Sequence, residues 1–134
     1  MSSAHNQVVQ LPNFKRQFRS IDERAQAIVL LAITEILSVE GIDLAKTNWL
    51  SFVGDGVWEF RIGKTFKAVY SKAGLEFMGK SSKSPLLIRV FCAFDQELIY
   101  LLGCYDKQRF GAGRRQVSAI RDAKNEWLTI KEKK

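Results

Sequence analysis

The sequence predicts an α+β fold: an N-terminal helical hairpin packed on an antiparallel β-sheet, with a C-terminal helix. Three observations carry that expectation. Apolar residues recur at helical spacing over residues 13–41 and again over 114–128. Residues 49–62 and 86–104 instead hold apolar runs of strand length, bounded by polar turns. Asp55-Gly56 and Asp95-Gln96-Glu97 sit between such runs, where hairpin turns are expected. With 134 residues, 46% of them hydrophobic and 26% charged, the chain can bury one core and is expected to be a single domain over 1–134, neither disordered nor fibrous.

Taken in order, residues 7–11 (QVVQL) suit an edge strand stopped by Pro12. Phe14 and Phe18 lie four apart, with Lys15, Arg16 and Arg19 on the other faces, which predicts a short amphipathic helix. Ser20 precedes Glu23 at capping-box spacing, and Ala25, Ile28, Ala32 and Ile36 carry a second helix as far as Gly41. Leu30, Leu31, Ile33 and Leu37 widen its apolar surface, so it is expected to pack on both the first helix and a sheet. Residues 49–53 and 57–62 then form a hairpin about Gly54-Asp55-Gly56. Alternation along 57–62 predicts that Trp58, Phe60 and Ile62 are buried, with Glu59 and Arg61 together on the exposed face.

Residues 63–85 read as an extended hairpin or loop insertion, with FKAVY and GLEFMG as strands and GKSSKS as a polar loop. Residues 86–94 and 98–104 are expected to be central strands. Arg89 interrupts the first of them, a long charged side chain that must reach water or an anion. Cys92 and Cys104 lack CxxC spacing and are read as buried free thiols. Val117, Ile120, Ala123, Lys124 and Trp127 share a helical stripe, which predicts a C-terminal helix anchored by Trp127.

Charge narrows the classes of function. The formal net charge is +7, and it is unevenly spread. Residues 1–50 hold five basic and five acidic side chains, 51–105 seven and five, and 106–134 nine and four. Such a local excess favours an anionic partner. The longest apolar run, 27–33, is too short to span a membrane, and residues 1–10 show no secretory signal, so no membrane association and a cytoplasmic location are expected. Gly111-Ala112-Gly113 lacks the lysine of a phosphate loop. The single histidine, His5, lies in a terminal tail, which removes the usual base for a serine nucleophile. What remains is cationic: Arg61, Arg89, Lys107 and Arg109, with Tyr105, would converge if their strands are neighbours. Such a surface suits single-stranded RNA.

The ordered segments NFKRQFRSIDERAQAIVLLAITEIL, VWEFRI, IRVFCAF, IYLLGCYDKQ and AIRDAKNEW resemble the RelE superfamily of bacterial toxins, most closely its HigB-like, phage-derived branch. WEFRI stands where that branch has Trp-Glu-Leu-Arg, and RVF supplies an arginine-led strand; order and spacing match over most of the chain. The resemblance implies a RelE-like arrangement, with the helical hairpin on a twisted antiparallel sheet. It also implies the toxin of a type II toxin–antitoxin system, a metal-independent mRNA endoribonuclease, often acting on ribosome-bound message. No cofactor is implied. A cognate antitoxin of helix-turn-helix type would neutralise it. By this likeness Arg89 contacts the scissile phosphate, Lys107 and Arg109 stabilise transition-state charge, and Tyr105 stacks on a base or donates a proton. Arg61, Gln108, Arg114 and Arg115 would hold substrate, while Glu59 and Asp106 are the nearest carboxylates.

The chain also departs from the pattern. Asp106 stands where the first of two adjacent lysines would fall, the histidine that some HigB-type toxins use near this point is missing, and residues 63–85 are longer than the usual link. These departures motivate a second expectation: a non-cleaving member of the same fold, either a ParE-like gyrase inhibitor or an RNA-binding module.

Overall fold

The computed structural model describes residues 6–63, 66–77, 87–111 and 113–133. Its architecture is α+β. Strand β1 (Gln7–Gln10) leads into helix α1 (Pro12–Arg19) and then α2 (Glu23–Ala32), which continues through a π-helical turn (Ile33–Leu37) and the short α3 (Ser38–Glu40). Gly41, at φ +56°, ends this run and opens a 3-10 helix (Gly41–Lys46). Strands β2 (Leu50–Gly54) and β3 (Val57–Ile62), helix α4 (Phe66–Lys72), strands β4 (Ile88–Asp95) and β5 (Leu98–Asp106), and helices α5 (Lys107–Phe110) and α6 (Arg114–Glu132) complete the described chain.

The sheet order is β1-β5-β4-β3-β2. The hairpins β2–β3 and β4–β5 are antiparallel, as is β3–β4, but β1 pairs parallel to β5, so the sheet is mixed and not purely antiparallel. The tight turn at Asp55-Gly56 forms as its sequence predicts, with positive φ at both residues, the conformation that matches strand twist.

Both faces of the sheet are covered. On one, Phe14, Ile28, Val29, Ile36 and Leu37 from the N-terminal helices pack on Phe60, Ile62, Val90, Ile99 and Leu101. On the other, Ala123 and Trp127 of α6 pack on Val57, Phe91, Ala93 and Leu102. Trp127 also meets the Tyr100 ring at 5.3 Å between centroids. This second layer overturns the expectation that Glu59 faces solvent: it is 6% exposed, because α6 lies across its face. Strand alternation is kept, but the second face is not open.

Four local expectations also change. Ser20 does not cap α2; its hydroxyl donates to the Gln17 carbonyl at 2.7 Å and closes α1, while Asp22 occupies the N-cap position of α2. FKAVY is a helix and not a strand, with Val69 fully buried in the core on the N-terminal helical side. Leu75 and Phe77 carry no strand, and residues 78–86, including GKSSKS, lie outside the described residues, as does His5. Val117, placed on the buried stripe of α6 by its spacing, is 62% exposed.

Cys92 and Cys104 are buried free thiols, as read from sequence. Burial pushes both upward in pKa, Cys104 to about 12. No helix among the described residues is long and apolar enough to cross a membrane.

Candidate functional site

Strand register assembles the site. Arg61 on β3 lies opposite Arg89 on β4, and Arg89 lies opposite Tyr105 on β5, so the three form one row across the central sheet. Two guanidiniums directly opposite each other repel unless an anion intervenes. Glu59 is that anion. It lies two residues along β3 on the same face, and its Oε1 is 3.5 Å from Arg61 Nε and 3.7 Å from Arg89 Nε. Its other oxygen accepts from Gln116 Nε2 at 3.4 Å, a contact delivered by the first turn of α6.

The two arginines differ sharply in environment. The Arg61 side chain is 42% exposed, whereas that of Arg89 is only 5% exposed. Arg89 Nη1 donates to the Ile88 carbonyl at 3.2 Å, but its buried Nε has no hydrogen-bond partner among the described residues. Burial lowers the Arg89 pKa; Glu59 opposes that shift and Arg61 adds to it. A guanidinium starts so high that it stays protonated at neutral pH.

Arg61 and Arg89 line a cleft of about 420 Å³ at the end of the sheet, together with Asn48, Trp49, Gly63 and Leu87. Trp49 is fixed there because the Arg61 backbone N–H donates to its carbonyl at 2.7 Å. Lys107 begins α5 beside the same end, its backbone N–H bonded to the Leu87 carbonyl at 2.7 Å.

The other expected residues separate from this cleft. Asp106 caps α5, accepting from the Arg109 backbone N–H at 3.2 Å, which gives a structural use to the anion standing where a lysine was expected. The Arg109 guanidinium turns toward the end of α1, 3.5 Å from the Ser20 carbonyl, and lies over the Phe110 ring at 5.0 Å. Arg115 lies over the same ring at 4.7 Å. Arg109 and Arg115 therefore form a second basic group around Phe110. Tyr105 joins the two groups: its backbone is in the arginine row, its ring is 6.0 Å from Phe110, and its hydroxyl donates to the Gly111 carbonyl. Burial raises the Tyr105 pKa, Arg115 opposes the rise and Asp106 adds to it. Gln108 and Arg114 are exposed.

Asn48, Trp49 and Gln116 were missed as site residues. Gln116 was within reach of sequence reasoning, since it shares a helical stripe with Ile120, Ala123 and Trp127, where Val117 had been placed instead. Asn48 and Trp49 carry no such local signal; they join the site only because β2 pairs with β3.

The site offers two fixed cations, one bridging carboxylate and a half-buried indole beside a polar cleft. Cations paired in this way suit a phosphate. Among the described residues no group of three His, Cys, Asp or Glu side chains could hold a metal ion. Comparison of the chain with protein-family models, with curated proteins and with solved structures finds no match.

Proposed function

We propose that this protein is the toxin of a type II toxin–antitoxin system, a HigB-like member of the RelE superfamily that cleaves mRNA without a metal and is neutralised by a cognate antitoxin in the cytoplasm. One observation carries the reading: Arg61 and Arg89 are paired across two strands and held by Glu59 at the mouth of a cleft sized for a small ligand. The RelE-like arrangement belongs to the same proposal. It is supported by the N-terminal helices on one sheet face, α6 on the other, and arginines on the two central strands between them.

In this mechanism the ribose 2′-oxygen attacks the adjacent phosphorus, and the bond from phosphorus to the 5′-oxygen breaks. Arg61 and Arg89 neutralise the pentavalent phosphorane as its charge develops. Glu59 keeps both cations in place; it is buried and outside the cleft's lining, so the 2′-hydroxyl proton passes to solvent at the cleft. The Glu59 oxygens are already engaged by Arg61, Arg89 and Gln116, so most of the acceleration falls on orientation and charge stabilisation. Tyr105 returns a proton to the leaving 5′-oxygen once its hydroxyl exchanges the Gly111 carbonyl for substrate. Lys107 adds positive charge at the rim.

Two contacts favour a second reading, in which the same fold binds RNA, or inhibits gyrase as ParE-like toxins do, without cutting. The Tyr105 hydroxyl is engaged by Gly111, and the Asp106 carboxylate is engaged as a helix cap. Primer extension on total RNA after induction separates the readings. The proposal expects discrete cuts that disappear in Arg61→Ala. Growth arrest with uncut RNA would overturn it, and an accompanying DNA-damage response would point to the gyrase reading.

A further inference from the structure

We infer that the 420 Å³ cleft is a subsite for one nucleotide of a single strand: Arg61 and Arg89 take its phosphodiester, Trp49 stacks on its base, and Asn48 reads the base edge. The inference rests on the proposed nucleic-acid reading of this cleft and adds what it recognises there.

Charge selects the ligand. Arg61, Arg89 and Glu59 together carry a single net positive charge, which matches the one negative charge of an internal phosphodiester better than the two of a terminal phosphate. Access points the same way. Arg61, its side chain 42% exposed at the cleft, is the cation an incoming phosphodiester meets, and the buried Arg89, 3.7 Å from Glu59 Oε1, adds its charge from behind.

The rest of the lining suits a base. Trp49 is braced by Phe60, whose ring lies 6.1 Å away and 30° from parallel, so the indole is a stiff platform. Its backbone is fixed as well, since Trp49 N–H donates to Thr47 Oγ1 at 3.0 Å. An aromatic face accepts any base, while an amide beside it, with one acceptor and one donor group, can discriminate among them. Asn48 is that amide, exposed at the same opening.

The test is calorimetric binding of a 2′-deoxy dinucleoside monophosphate, which lacks the attacking hydroxyl and cannot be cleaved, compared with dimethyl phosphate as a backbone-only probe. The intact protein should bind the dinucleotide at least about tenfold more tightly than dimethyl phosphate, the scale of one base–aromatic stack. Trp49→Ala should remove that advantage and leave dimethyl phosphate binding unchanged. Trp49→Phe should retain most of it, which guards against loosening of Phe60 as the cause. Asn48→Ala should alter the ranking among bases without changing dimethyl phosphate affinity. Equal affinity for the two probes, or an unchanged preference in Trp49→Ala, would overturn the inference. Selective dinucleotide binding with no RNA cuts after induction would support the subsite and remove the ribonuclease reading; RNA cuts with equal probe affinities would do the reverse.

Discussion

At the residue scale the central contrast is between two arginines that face each other and share one carboxylate. Arg89 is buried, so its removal leaves a cavity beside Glu59 and breaks a desolvated pair; such losses cost about 3–5 kcal/mol. Arg61 is 42% exposed, and its pair with Glu59 is worth less than about 1 kcal/mol. Glu59 is still held by Arg89 and Gln116 when Arg61 is absent. Urea unfolding should therefore show Arg61→Ala within about 1 kcal/mol of the parent and Arg89→Ala lower by about 3 kcal/mol or more. Equal destabilisation of the two would mean that Glu59, and not burial, sets the cost. The contrast makes Arg61 the cleaner probe of function, because a growth phenotype in Arg89→Ala would mix lost chemistry with lost fold.

At the scale of elements, the seam between α1 and α6 carries its own titration. Glu126 of α6 and Asn13 and Arg16 of α1 line one cleft, with Asp122 and Lys133. Glu126 Oε1 is buried with no hydrogen-bond partner among the described residues, and burial raises the pKa of the carboxyl above its ordinary 4.5, against the pull of the Asn13 backbone N–H and Arg16. A group held higher in the folded state binds more protons there than in the unfolded chain. Its contribution is full below about pH 4.5 and is lost as pH rises through the folded-state value. Glu126→Gln, which removes the charge and keeps an acceptor for Asn13, should melt higher than the parent at pH 7, with the gap closing by pH 4. A gap of the same size at both pH values would assign the effect to packing. This seam was not legible in the sequence, since Glu126 is an ordinary helix-surface residue until α1 is laid beside it. Elements defined by near neighbours were legible: the Asp55-Gly56 turn, the β4–β5 hairpin and the anchor at Trp127 all rest on contacts or patterns within a few residues. FKAVY was misread because five residues satisfy both periods, and only the core position of Val69 decides for helix. The burial of Glu59 was hidden for a related reason: alternation says which residues share a face, but not whether a distant helix covers it. The row of Arg61, Arg89 and Tyr105 was half legible, as residue types on expected strands; their alignment needed the register, and the separation of Arg109 needed the helix cap made by Asp106.

At the scale of the whole molecule, the charge excess divides between two places. The cleft carries little net charge, since Glu59 offsets one of its arginines, whereas Arg109, Arg114 and Arg115 lie in the 106–134 segment that holds nine basic side chains against four acidic. Arg109 and Arg115 gather at Phe110, one residue type suited to stacking between two suited to phosphate. Tyr105 links this group to the arginine row, so a single strand bound as proposed would meet it on leaving the cleft along that row. Single-strand binding loses affinity with salt at a slope of about −0.7 per phosphate neutralised. A dinucleotide, with one phosphodiester, should therefore show a slope near −0.7, and a strand of about eight nucleotides a slope near −2 to −3 as the second group engages. Removing Arg109 and Arg115 together should flatten the longer strand's slope by about 1.4 and leave the dinucleotide's unchanged. The comparison is direct in a fluorescence titration at several salt concentrations. Equal flattening for both lengths would place these arginines in the cleft; no flattening for either would make the C-terminal excess a solvated surface, and the path of the strand would have to run across β3 and β2 instead.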